Sequence, residues 1–260
     1  ILKVPANTEI ILIGTNKITA NEGRAIWAQD GPLKISGAGS LEVTAPSGQN
    51  ALWSNTSSID VNISGALTVN GKIRAEGALS LRSGNNISVT GSVYGKKSIT
   101  AIAGKSLSIT NTSGTAVLAS SCTEVSLAAQ GGDLTVSGAG SADYGIYGNW
   151  KDTALKLHAS GNVSVTGIKY SMQGTTLELS GTIPENSTLT ADGTKSLTVP
   201  AGKTLINNGT IKLNSFPGAV TVSGTLTNNG SIVNSDNAPI QPNVTEGGVI
   251  TVKAAMDFTG

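Results

Sequence analysis

A chain of 260 residues with a formal net charge of +1, 13% charged and 3% aromatic residues, one cysteine and one histidine excludes several classes at once. Electrostatic capture of nucleic acid needs a concentrated basic face, and no basic cluster occurs. A lone Cys122 can build neither a disulfide framework nor a Cys-rich metal site, and no apolar run is long enough to span a membrane as a helix.

The first segment, Val4-Pro5 through Ile10-Ile11-Leu12-Ile13 to Ile18, reads as an apolar strand, a Gly14 turn and a second strand. Residues 25–48 then set a unit of three short runs: Ala25-Ile26-Trp27-Ala28, Leu33-Lys34-Ile35 and Leu41-Glu42-Val43-Thr44, with Gly, Pro, Ser or Asp between. Each run alternates a large apolar residue with a small or polar one, the period of a strand with one buried face. The unit returns at Ala51-Leu52-Trp53, Ile59 to Ile63 and Ala66 to Val69, then at Lys72 to Ala75, Leu79 to Leu81 and Ile87 to Thr90. Later copies open at Ser92-Val93-Tyr94, Ala116-Val117-Leu118 and Gly145-Ile146-Tyr147, and a seventh starts near Lys169-Tyr170-Ser171.

A repeat of about 20 to 29 residues signals a solenoid. Three strands per repeat with Gly-rich turns describe a triangular coil, in which each strand pairs in parallel with its counterpart one layer on, about 4.8 Å away. Parallel crossovers are right-handed, so the expected fold is all-β, a right-handed parallel β-helix. Such layers bury small and branched side chains against each other, which fits the scarcity of large residues. Residues 1–181 carry the clear coils. From 182 to 260 the strands arrive at tighter spacing, punctuated by Asn208-Gly209 and Asn229-Gly230, and read as a continuation with shorter coils or as a C-terminal β cap. Val249 to Val252 caps or continues the stack.

Aligning the first strands gives one aliphatic column, Ile26, Leu52, Ile73, Val93, Val117 and Ile146, which should point inward. The next column, Trp27, Trp53, Arg74, Tyr94, Leu118 and Tyr147, with Tyr170 as its continuation, should then point outward. Rings one coil apart fall within stacking distance of each other, so the line serves either as a structural ladder or as a platform for pyranose faces. In the ladder reading Arg74 lies over its neighbours as a cation–π lid. A second cluster, residues 143 to 152, brings Asp143, Tyr144, Tyr147, Trp150 and Asp152 into loops, where a solenoid places function. It reads as a rim for sugar or Ca²⁺, or as a solvated lid.

Catalysis finds no support, because no column repeats Asp or Glu on adjacent layers as a glycosidase pair requires. Asp30, Asp60 and Glu42 read as solvated residues, His158 as an outward strand residue, and Cys122 as a small residue at a turn. Gly-Ala-Gly-Ser at 37–40 and 138–141 lacks the Lys-Ser/Thr of a phosphate loop and reads as a corner.

The layer motif, small-Ile-aromatic-small followed by Leu-x-Ile-x-Gly and Leu-x-Val-Thr over residues 25 to 181, resembles the β-helical surface proteins of gut and cellulolytic bacteria. Some of these bind carbohydrate, and they belong to the wider pectate-lyase-like superfold. Leu197 to Leu205 and Asn208 to Ile211 look like repeats of bacterial wall-attached proteins. The lyase side of the superfold uses clustered Asp for Ca²⁺ and an Arg or Lys base, and that cluster is missing from this sequence. The resemblance thus implies a secreted or surface-anchored, non-catalytic bacterial protein without cofactor or metal. Its partner would be a polysaccharide or a host or plant glycan, and the chain a monomer or part of a longer surface protein. The ligand-binding residues would be Trp27, Trp53, Arg74, Tyr94, Tyr147, Tyr170, Asp143, Trp150 and Asp152. A purely structural stalk is the alternative, and a polysaccharide lyase or hydrolase the third reading. The chain begins at Ile1 without a Met, as an excised or mature segment would.

Overall fold

The computed structural model describes residues 1–139, 144–149, 153–170, 175–214 and 219–252. Within them the chain is a β-solenoid of about 10 turns, with three strands per coil and no helix. Sheet A stacks the short strands Leu2–Val4, Ile26–Ala28, Asn50–Ser54 and their successors down to Ser231–Asn234, all in parallel. Sheet B stacks Glu9–Leu12, Leu33–Gly37, Ile59–Ile63 and onward, and sheet C stacks Thr15–Thr19, Ser40–Thr44, Leu67–Asn70 and onward. Sheets B and C join where Ala154–Val165 and Thr175–Ile183 run through the corner between them as single strands.

The alternation read from the sequence becomes three interior columns. On sheet A, Ile26, Leu52, Ile73, Val93, Val117 and Ile146 are in register and have no exposed surface. On sheet B, Leu33, Ile59, Leu79, Ile99, Val125, Leu155, Leu177 and Leu197 do the same, and sheet C adds Leu41, Leu67, Ile87, Leu107 and Leu134. Each coil covers the apolar side chains of the next, so a narrow interior of Leu, Ile, Val and Ala suffices.

Counted between partners on sheet A, coil length varies from the 20 residues separating Ile73 and Val93 to the 29 separating Val117 and Ile146. The pairing crosses residue 181 without a break: Gly181 to Ile183 pair with Leu205 to Asn207, which pair in turn with Leu226 and Asn228. Partners Leu189 and Ile211 lie 22 residues apart and Ile211 and Ile232 lie 21 apart, within the range of the earlier coils and near its short end. Val249–Val252 adds one further strand on Thr225–Asn228.

One corner residue needs glycine for two reasons. Gly37 sits at the B–C corner with φ +122°, and a Cβ there would run into the backbone of Leu12 in the coil beneath.

Candidate functional site

The outward column on sheet A is real for most of its length. Trp27 pairs with Trp53, Trp53 with Arg74, Arg74 with Tyr94, Tyr94 with Leu118, and Leu118 with Tyr147. Its rings, however, are already engaged. Trp27 and Trp53 stack with centroids 5.7 Å apart and planes 12° from parallel. The Arg24 guanidinium lies 3.5 Å from the Trp53 centroid and 4.8 Å from that of Trp27, and Lys3 Nζ lies 5.3 Å from the latter. Both indole Nε1 atoms are closed off from solvent and have no hydrogen-bond partner among the described residues.

Arg74 covers Tyr94 at 4.8 Å, as the lid reading requires, while its guanidinium holds Glu76 at 2.6 Å and Lys96 approaches the same carboxylate at 3.9 Å. Burial, helped by the Glu76 charge, raises the Tyr94 phenol above its ordinary pKa. Tyr147 stacks on Tyr144 at 6.3 Å, and the Lys169 ammonium lies over Tyr144 at 5.3 Å. A hydrogen bond with Tyr144 raises the Lys169 pKa. Tyr94 and Arg74 also floor a small cleft of about 220 Å³ with Asn50, Lys72 and Ser92.

Tyr170 does not belong to this line. Ile168 pairs with Ile146 and Lys169 with Tyr147, so Lys169 continues the outward column and Tyr170 falls opposite Gly148, pointing inward with 2% exposure. The sequence alignment slipped by one residue, which on a strand turns every side chain to the other face. The ring fits because Gly148 has no side chain: a Cβ there would overlap the Tyr170 ring. Burial pushes the Tyr170 phenol well above the usual tyrosine range, and its hydroxyl has no partner among the described residues. Asp143, Trp150 and Asp152 lie outside the described residues.

A different surface is open. On the outside of sheet B, next to the B–C corner, one column runs Ser36, Asn62, Arg82, Ile102, Ala128, His158, Ser180 across successive coils. Two clefts lie along it. One, of about 560 Å³, is lined by Asn62, Ser64, Arg82, Ser83 and Gln130 among others. The second, of about 460 Å³, shares Gln130 and continues past His158, Ser160, Ser180, Thr182 and Lys203. Together they form a groove along the solenoid axis, walled by hydroxyls, amides and glycines. Arg82, His158 and Lys203 are its ionisable lining groups, and none of the lining residues is an acid.

His158 has two polar neighbours in the groove. Its Nδ1 lies 2.9 Å from Ser180 Oγ, and its Nε2 lies 3.9 Å from Glu178 Oε2. Burial first, then the charge of Lys203, lowers the imidazole pKa; Glu178 opposes this and Lys156 adds to it. Lys156 is itself bridged to Glu124 at 3.2 Å. His158 therefore stands outward on its strand, as read from the sequence, but in a cleft.

Cys122 is fully buried and donates its thiol to Gly95 O at 2.8 Å, and burial pushes its pKa to about 11. Among the described residues no three His, Cys, Asp or Glu side chains gather as a metal site would require. Among the described residues no helix is long and apolar enough to cross a membrane.

No protein-family model, curated protein or solved structure matches this chain.

Proposed function

We propose that the chain is a non-catalytic, surface-displayed rod that binds an extended glycan along the B–C groove. The observation that carries this reading is the groove itself: two clefts sharing Gln130 and running over successive coils from Ser36 to Thr204. A hydroxyl-rich polymer needs many weak, well-spaced donors and acceptors with apolar patches between them. Asn62, Ser64, Gln130, Ser160 and Thr182 supply the former, Ile102 and Ala128 the latter. The formal charge of +1 gives nucleic acid little purchase.

Affinity gel electrophoresis against a panel of plant and host polysaccharides tests it. Gln130→Trp and Ser160→Trp, both at exposed positions, fill the groove and should abolish retardation. Trp53→Ala should leave it intact. Retardation lost in Trp53→Ala and kept in the groove variants would return the site to the aromatic line. Release of reducing or unsaturated sugar would reopen an enzymatic reading.

A second reading, a structural spacer that binds nothing, draws on the cover of Lys3 and Arg24 over the tryptophan pair. Rings whose faces are spent on the chain's own cations serve the stack rather than a ligand. Absence of retardation by every polymer would establish this alternative.

A further inference from the structure

The groove contains the one side chain of its lining whose ordinary pKa lies between pH 5 and 8, and its position gives a change of charge there a consequence. His158 is the only histidine in the chain, and its imidazole lies between Ser180 and Glu178. The described charged groups facing it are Glu178 on the neighbouring strand, Lys156 two residues earlier on its own strand and Lys203 across the cleft. Ala128, its partner in the coil on the other side, is uncharged.

The Glu178 carboxylate lies on the Nε2 side at 3.9 Å and favours the neutral tautomer with its hydrogen there, in which Nδ1 is an acceptor. Ser180 then donates its hydroxyl proton to Nδ1, and only the lone pairs of its oxygen remain for anything else in the groove. When the ring takes up a second proton, Nδ1–H becomes the donor and Ser180 Oγ the acceptor. The serine hydrogen is released and must find another oxygen. Ser180 lines the cleft beside His158, so that hydrogen turns toward whatever oxygen, of water or of ligand, occupies the cleft. A glycan lying in the cleft can offer that oxygen.

We propose that His158 sets the hydrogen-bonding sense of Ser180, so that the groove holds a neutral glycan more tightly at mildly acidic pH than at neutral pH. This rests on the groove being the glycan site. The proton balance is simple: one proton enters from solvent at Nδ1, and the Ser180 hydrogen turns from the ring to the ligand with no bond to carbon made or broken.

The test uses the whole chain with uncharged polymers, xyloglucan, mixed-linkage β-glucan and mannan, at pH 7.5 and 5.0. For the polymer that is retained, affinity should rise about fivefold on acidification, the worth of one net hydrogen bond. The ratio of the affinities at the two pH values should fall to about one in His158→Gln and in Ser180→Ala, whatever their affinity at pH 7.5. A second readout needs no ligand: imidazole nitrogen shifts should report Nε2–H at pH 7.5, and Glu178→Gln should weaken that preference. Equal retention at both pH values, a pH effect surviving in His158→Gln, or an Nδ1–H tautomer at pH 7.5 would each overturn the switch and leave the groove reading standing. No retention of any polymer at either pH would overturn the groove reading itself.

Discussion

The exterior of sheet A and the B–C groove are built by the same alternation, yet they spend their side chains in opposite ways. On sheet A the conspicuous residues are consumed internally: Trp27 on Trp53, Arg24 on both, Arg74 on Tyr94 and Glu76. In the groove the residues are individually plain, but many of their polar groups face open space. Conspicuous chemistry in a solenoid is therefore weak evidence of a ligand, because stacking at about 4.8 Å lets any ring or cation find its partner one coil away.

The largest effect separating surface from interior should come from Tyr170. Removing the ring in Tyr170→Ala leaves a cavity and should cost about 3–5 kcal/mol in urea unfolding. Tyr170→Phe deletes only an unpartnered hydroxyl and should be neutral or stabilising, which an outward ligand residue would not require. Next, Arg24→Ala should cost about 1–2 kcal/mol and shift tryptophan emission to the red as the indoles open to water. Unchanged emission would break the contrast by showing those rings already exposed. Arg74→Ala, on an exposed side chain, should cost less than about 1 kcal/mol.

Smaller still is a pH effect on stability. With a folded pKa below its ordinary value near 6.5, His158 binds its proton less readily in the native state than in the unfolded chain. Its contribution is thus fully present above about pH 6.5 and is lost as the pH falls through the folded pKa. Urea titrations at pH 7.5 and 5.0 should show a drop that His158→Gln diminishes. At the small end, Cys122 should resist alkylation at pH 8 in the native protein and react only on unfolding.

Much of the architecture was legible because period-two patterning is local. Ile26, Leu52 and Ile73 announce the inward face whatever lies elsewhere in the chain. The pairing Trp27–Trp53–Arg74–Tyr94–Leu118–Tyr147 followed from the same columns. Tyr170 was misplaced because an aromatic was matched to aromatics. Ile168 in the aliphatic column, and a glycine at 148 one coil earlier, were the signals of its true register. Arg24 escaped notice because it lies before its strand and covers rings in its own coil and the next. The groove had no signal of its own: Ser, Gly, Thr and Gln are the commonplace residues of this chain, and a cleft made by the bend between two sheets is a property of the corner, not of any motif.

The parallel pairing that continues through residue 181 has one more consequence. Because each coil pairs with its neighbours through the same three sheets, inserting or deleting a whole coil changes the molecule's reach by one step of about 4.8 Å, while the connections at the corners differ from coil to coil. Such a chain behaves like a ruler with fixed graduations, on which length can be revised by duplication without redesigning a single turn.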